Sequence, residues 1–322
     1  MKKIDLNKFI KNNIAWVILI VVCIVFCCFT ESFFSFRNII SILNQNAYIV
    51  VASLGITPIM MSGSMDLSVG YQMSIIGIIC AKLMVEQNSP IALVMVFGII
   101  IGIAMGVLNC VLAQKLKLSL LVITLGTMTI FQGASYIISG ARTVNGFSGS
   151  FKYLGQGNVG EIPFAIILMA ILFAIMSFIL NKTYFGRYIY ALGGNEEATR
   201  LAGINVKKMK YIIAIIAGAF IGLASLMLIS RMGTSQSNIG PGTEFTVITG
   251  IFLGGVSIRG GEGKLSGVLA GILILGVLTN GMQLASIDPY WQYVFKGVLM
   301  LAAIGFDVFQ LNRREKVKVV SE

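Results

Sequence analysis

Continuous apolar runs of about twenty residues, separated by short polar joints, recur along this chain from Ile14 to Phe309. A helix rises 1.5 Å per residue, so about 20 apolar residues cross the hydrocarbon core of a bilayer. A membrane β-strand would instead alternate apolar and polar positions over about ten residues. The runs predict spans at 14–30, 38–61, 68–84, 91–113, 118–140, 163–180, 211–229, 246–258, 265–284 and 290–309. The eighth is too short to cross alone; it either begins earlier or is a half-helix. The pattern reads as an all-α integral membrane protein of about ten transmembrane helices, one transmembrane domain over residues 1–322.

The longest polar interruption, 181–210, carries Lys182, Arg187, Arg200, Lys207, Lys208 and Lys210 against Glu196 and Glu197. Lys and Arg collect on the cytoplasmic side of membrane proteins. If the N-terminus is inside, the inner segments hold most of the 24 basic residues: Lys2, Lys3, Lys8, Lys11, Lys115, Lys117, the six of the long loop, Arg259, Lys264, Arg313, Arg314, Lys316 and Lys318. The opposite segments hold Arg37, Arg142, Lys152 and Arg231, and Lys82 and Lys296 lie near or within spans. Both termini are therefore expected in the cytoplasm. Division into two halves with an odd number of spans each would give repeats of inverted topology. GSMDLSVGYQMSIIGI (63–78) and GGEGKLSGVLAGILI (260–274) are faintly alike. Trp16, Tyr290 and Trp291 fall near expected span ends. Gly102/Gly106, Gly218/Gly222, Gly250/Gly254 and Gly267/Gly271 are spaced four apart, as helices in close contact require.

Composition excludes a soluble domain: 57% of residues are hydrophobic and 11% charged, with a mean hydropathy of +0.89. The net charge of +11 would point a soluble protein toward nucleic acid; here its one-sided distribution accounts for it. The sequence has no His, which removes the commonest general base and metal ligand. Cys23, Cys27, Cys28, Cys80 and Cys110 all lie in apolar runs and read as small buried hydrophobes rather than a metal site. The first run ends in Thr30-Glu31-Ser32-Phe33-Phe34, without the small residues of a signal-peptidase site, so it is expected to stay as an uncleaved span.

Few residues offer chemistry. The second span contains Pro58 and breaks at MSGSMDLSVG (61–70). A broken span frees backbone groups to line a pathway. Ser62, Ser64 and Asp66 lie in this break. Asp66 reads either as a pathway carboxylate or as a cap on the third span, and the two readings are compatible. Asn44, Gln45 and Asn46 on the second span, with Thr124, Thr127, Thr129 and Gln132 on the fifth, either line a route for an uncharged, hydroxyl-rich solute or hydrogen-bond helix to helix. In the long loop, Gly193 and Gly194 precede a short helix over 195–202. Asn195 is its N-cap, Glu196 and Glu197 complement its positive end, and Gly203 is its C-terminal cap. Ala198, Leu201 and Ala202 give it a small apolar face. So short a helix is marginal in water and is expected to dock on something. Two nucleotide-like patterns fail. Gly155, Gly157 and Gly160 match GxGxxG in an expected external loop, with no preceding strand. GGVSIRGGEGK (254–264) has Ile258 in place of the first P-loop glycine and Leu265 after Lys264. No cofactor is expected in this chain.

GRYIYALGGNEEATRLAGINVKKMK (186–210) resembles the cytoplasmic loop of the ribose-type permeases of bacterial ABC sugar importers. SGSMDLSVG (62–70) is similar to that family's SGIDLSVG motif, and 121–140 and 242–276 also resemble it, so the likeness covers nearly the whole chain. The resemblance implies a multi-pass protein of the bacterial inner membrane. Two permease copies, a homodimer, would form the pore. A cytosolic ATPase with two nucleotide sites would hold ATP and magnesium and dock on the coupling helix at Asn195–Ala202. An extracytoplasmic sugar-binding protein would deliver the solute. Thr243-Glu244-Phe245-Thr246 stands where relatives often carry Tyr-Glu-Leu-Asp, and Met65 replaces the usual residue before Asp66; both put ribose itself in doubt. The alternatives are a permease for another solute, such as an autoinducer-2-like furanone or a nucleoside, an ion-coupled secondary transporter, or a membrane-embedded enzyme. Proton relays generally use buried Asp, Glu or His chains, of which the sequence offers little beyond Asp66 and Asp307. No convergent nucleophile and base favour an enzyme.

Overall fold

The computed structural model of this protein describes residues 13–29 and 33–320. Lys2, Lys3, Lys8 and Lys11, which bear on the orientation, and Thr30, Glu31 and Ser32, which bear on signal cleavage, lie outside the described residues. In chain order the helices are α1 (Ile14–Phe29), α2 (Phe36–Met61), α3 (Val69–Val85), α4 (Ile91–Leu116), α5 (Leu120–Ser139), α6 (Gly149–Gln156), α7 (Phe164–Lys182), α8 (Tyr184–Gly194), α9 (Glu196–Leu201), α10 (Val206–Met232), α11 (Thr243–Leu253), α12 (Leu265–Leu284) and α13 (Tyr290–Val320). Four two-residue strands complete it. β1 (Val144–Asn145) and β4 (Thr234–Ser235) pair antiparallel, as do β2 (Asn158–Val159) and β3 (Ile162–Pro163).

Among the described residues, seven helices are long and apolar enough to cross a membrane: α2, α4, α5, α7, α10, α12 and the Tyr290–Phe309 part of α13. Shorter apolar helices occupy Ile14–Cys28, Val69–Val85 and Thr243–Leu253. Every apolar run read from the sequence lies on one of these. The short eighth run starts earlier and ends earlier than expected, as an 11-residue helix. At 1.5 Å per residue it is about 16 Å long, roughly half of a bilayer core.

The chain forms two compact units. One comprises residues 47–247 and 259–261. Its centre is the pair α4 and α10. On α4, Val94, Gly98, Gly102, Met105, Gly106 and Asn109 are buried, while Leu93, Val96, Phe97, Ile100 and Leu108 point outward. The buried stripe is centred on three glycines, and the exposed stripe is bulky and apolar. This is the arrangement of a helix that faces lipid, where close backbone contact replaces the hydrophobic drive between helices. A Cβ on Gly102 would collide with the Gly218 carbonyl, and one on Gly218 with the Gly102 carbonyl. The two expected glycine pairs thus meet each other. Side-chain hydroxyls pin the surrounding helices. Ser225 Oγ donates to the Met73 carbonyl at 2.7 Å, and Ser230 Oγ donates to the Phe151 carbonyl at 2.7 Å. Such bonds average about 0.6 kcal/mol each inside membranes.

The other unit comprises the described residues up to Asn46, Ile248–Ile258, and those from Glu262 onward. Leu19, Phe33, Ile42, Ile274 and Val277 form its core. The Asn38 and Asn280 amides exchange two hydrogen bonds, at 3.0 and 2.9 Å. The remaining glycine pairs also meet: a Cβ on Gly271 would strike the Gly250 carbonyl, and one on Gly267 the Gly254 carbonyl. Asp307 accepts hydrogen bonds from Ile258 N–H at 2.9 Å and Ser257 Oγ at 3.2 Å.

Several segments read as loop are helical. Residues 149–156 form α6, closed at its start by Ser148 and held where Gly155 N–H donates to Ser230 Oγ at 2.8 Å. Gly155, Gly157 and Gly160 therefore lie across a helix end and the β2–β3 hairpin, which is unlike a dinucleotide turn. Residues 184–194 form α8, and α10 begins at Val206 rather than 211. Asn205 Oδ1, accepting from Lys208 N–H at 3.0 Å, starts that helix early.

Candidate functional site

The 181–210 loop is two helices joined through one residue. On α8, Gly186, Ile189 and Leu192 fall on one face and are buried. Tyr190 lies on the same helix, and burial pushes its hydroxyl pKa up from the usual value. Asn195 is extended, with φ −161° and ψ 107°, and ends α8 while starting α9. Its Oδ1 accepts from Ala198 N–H at 2.8 Å. At the other end Ile204 N–H reaches the Thr199 carbonyl at 3.3 Å and Gly203 N–H the Arg200 carbonyl at 3.0 Å. With Gly203 at φ +84° this is a Schellman closure. Six residues are thus held as a helix by caps at both ends.

Glu196 bonds Lys210 Nζ through both carboxylate oxygens, at 2.8 and 2.9 Å, tying α9 to the first turns of α10. Glu197 pairs with Arg200 along α9 itself. Thr199 is the buried residue of α9. Ala198, Leu201 and Ala202 are exposed, and Leu201 is 79% exposed. The small apolar face is therefore on the outside of the helix, uncovered by the described residues.

The second candidate locus is the break between α2 and α3. Pro58 lies within the last turn of α2, which ends at Met61. Asp66 is 2% exposed and surrounded by donors. Its Oδ1 accepts from Ser68 N–H at 2.8 Å and Ser68 Oγ at 2.6 Å. Its Oδ2 accepts from Gln72 Nε2 at 3.2 Å. Ser68 Oγ in turn accepts from Gln72 Nε2 at 2.7 Å and from Asn109 Nδ2, on α4, at 2.9 Å. Leu67 N–H donates to Thr124 Oγ1, on α5, at 3.2 Å. Asp66 therefore holds Ser68 and Gln72 at the start of α3, while Ser68 reaches α4 through Asn109 and Leu67 reaches α5 through Thr124. Gln72 Oε1 and Asn109 Oδ1 are buried with no hydrogen-bond partner among the described residues.

Of the other residues singled out in the sequence, Thr124 joins this network. Thr127 lies one turn further along α5, buried, and bonds back to its own helix at Thr124 O. Thr129 is exposed and does the same at Leu125 O. Gln132 is half-buried. Ser62 Oγ donates to the Ile59 carbonyl at 2.7 Å, and Ser64 is half-buried. Asn44, Gln45 and Asn46 belong to the other unit. Gln45 bonds Ser41 Oγ, Asn46 bonds the Ile42 carbonyl, and Asn44 Oδ1 is buried without a partner among the described residues. Ser68, Gln72 and Asn109 went unnoticed in the sequence. The signal for the two amides was there: long polar side chains in the middle of apolar runs. Glu244 was noticed only as part of a motif. It is 2% exposed, accepts from Gly242 N–H through both oxygens, and lies against Gly70 at the start of α3.

The two loci meet at a close backbone contact. Gly193, at the end of α8, packs where a Cβ would collide with the Met61 carbonyl and Gly261 N. Gly261 N–H donates to that same Met61 carbonyl at 2.8 Å. Gly63, Gly260 and Gly261 all have φ between +74° and +80°. A Cβ on Gly260 would lie 2.5 Å from Gly63 N.

Helices broken around buried polar groups, together with a capped, basic loop whose apolar face points outward, suit a membrane transport component. The chain belongs to the branched-chain amino acid transport system / permease component family, whose model matches residues 38–304. It is 36% identical to the ribose import permease protein RbsC of Haemophilus influenzae over 304 residues, 93% of this chain and 94% of that one. It is 34% identical to RbsC of Bacillus subtilis over 291 residues, 90% of each chain. It is 39% identical to the L-arabinose transport system permease protein AraH of Escherichia coli over 256 residues, 80% of this chain and 78% of that one. No solved structure matches it.

Proposed function

We propose that this chain is the transmembrane subunit of an ATP-driven importer for a monosaccharide in a bacterial inner membrane. What carries the reading is that permeases named for ribose and for L-arabinose align with most of its length. The geometry of the loop supports the same conclusion. A helix of six residues, capped at both ends and tied to α10, presents Ala198, Leu201 and Ala202 outward, a small apolar surface on which a partner can seat. In this reading a cytosolic ATPase with two nucleotide sites seats on Gly193–Gly203 and supplies the ATP and magnesium chemistry. An extracytoplasmic sugar-binding protein delivers the solute, and a second copy of the chain completes the pore. Residues 1–322 then act as one permease domain, crossing the membrane about ten times with both termini inside, its halves of opposite topology. Ser62, Ser64, Asp66, Thr124, Thr127 and Gln132, with Asn44, Gln45 and Asn46, are the candidates for the route.

The test is uptake into proteoliposomes. Labelled ribose or arabinose should accumulate only when this chain, its ATPase, its binding protein and ATP are all present. Accumulation by this chain alone under a proton or sodium gradient would overturn the proposal.

A further inference from the structure

The contact between the loop and the break has a mechanical meaning. Gly193 immediately precedes the last residue of α8, and α9 begins two residues later, at Glu196. Met61 ends α2, and Gly63 stands three residues before Asp66. The 259–261 segment is wedged between them. Three stretches of chain distant in sequence thus share one point, and all belong to the same compact unit. Their contact is backbone against backbone, with the Gly261–Met61 hydrogen bond at its centre. Side chains can relax by changing rotamer; apposed backbones cannot, so such a contact transmits displacement with little give. On the far side of the joint, the Asp66 network passes any displacement on to α3, to α4 through Asn109 and to α5 through Thr124.

We infer that Gly63, Gly193, Gly260 and Gly261 form a rigid joint that makes the coupling helix and the Asp66 break move as one body. The glycines are positioning residues: they touch neither solute nor nucleotide, and they convert motion at the inner loop into rearrangement of the polar network between α3, α4 and α5. The inference rests on the importer reading and adds to it the place where force enters the membrane domain.

The measurement uses the full importer in lipid, with the permease in a cysteine-free background and spin labels at Ser64 and Arg200, which flank the joint. A second pair, at Arg142 and Arg200, reports movement of α9 relative to the far end of α5. Distances are compared without nucleotide and with a non-hydrolysable ATP analogue. The Arg142–Arg200 distance should shift while the Ser64–Arg200 distance stays constant. A shift in both overturns the rigid joint yet leaves the importer reading standing. If the ATPase neither binds nor changes any distance, the importer reading itself is wrong and the joint falls with it. A variant pair adds a second readout. Gly193→Ala should lower transport by about tenfold or more while ATP hydrolysis by the bound ATPase persists. Gly126→Ala on α5, where a Cβ meets nothing within 4 Å, should transport normally. Normal transport by Gly193→Ala in an importer whose wild type is active would refute the joint. Should Gly193→Ala not fold, the label distances still decide.

Discussion

At the scale of single residues, the effect of a methyl group depends on which side of a helix it lands. Gly102 sits on α4 with the Gly218 carbonyl where its Cβ would be. Gly126, on α5, has nothing within 4 Å. Gly102→Ala should lower the thermal midpoint of the detergent-solubilised protein by the equivalent of about 1–3 kcal/mol, because the α4–α10 contact must open. Gly126→Ala should leave it unchanged or raise it, since Ala is favoured over Gly by about 1 kcal/mol within a helix. Equal effects of the two would contradict the packing described. The glycine spacing was legible in the sequence because a four-residue repeat is local. Which pair meets which was not, since that requires the helices to be placed side by side. The bonds of Asp66 to Ser68 are equally local, two residues along the chain. Gln72, which also reaches Asp66, and Asn109, which reaches Ser68 from another helix, lie further off.

At the scale of elements, apolar runs of about 20 residues betrayed the long helices, and boundaries were set by caps the runs do not reveal. Helix α11 stops at Leu253 because Gly255 turns with φ +82°. The apolar residues Val256 and Ile258 beyond it made the run look longer. Helices α6 and α8 were read as loop because glycine and polar residues dominate them; tertiary contact by one buried face overrides that weak propensity. Helix α9 was fully legible, since its signals, Asn195 and Gly203, are a cap at each end. Asn195→Ala should therefore cost about 1 kcal/mol of local helix stability. Faster amide exchange at Ala198 and Thr199 would register it, and Asn195→Asp should restore protection. Unchanged exchange in the alanine variant would mean that α9 is held by its neighbours rather than by its cap.

For the whole molecule, the charge bias makes a statement about sidedness. Lys207 lies in the first turn of α10, and Arg142 in the segment following α5. With the native Cys23, Cys27, Cys28, Cys80 and Cys110 replaced, a cysteine at Arg142 should react with a membrane-impermeant maleimide from outside intact cells. One at Lys207 should react only after lysis. The opposite pattern would invert the topology and remove the ATPase from the loop. The apolar pattern made the helical class readable at this scale. The division into two units was not, because both α2 and α11 contribute residues to each.

The small stripe of α4 against α10 and its bulky outer stripe have a consequence for engineering. In a water-soluble protein, trimming a large nonpolar side chain does the damage and the periphery forgives. Here Leu93, Val96 and Ile100 could be shortened at little cost in fold, because acyl chains flow in to fill the gap. The places that tolerate nothing extra are the smallest ones, so an effort to make this protein hardier should begin by leaving its emptiest positions alone.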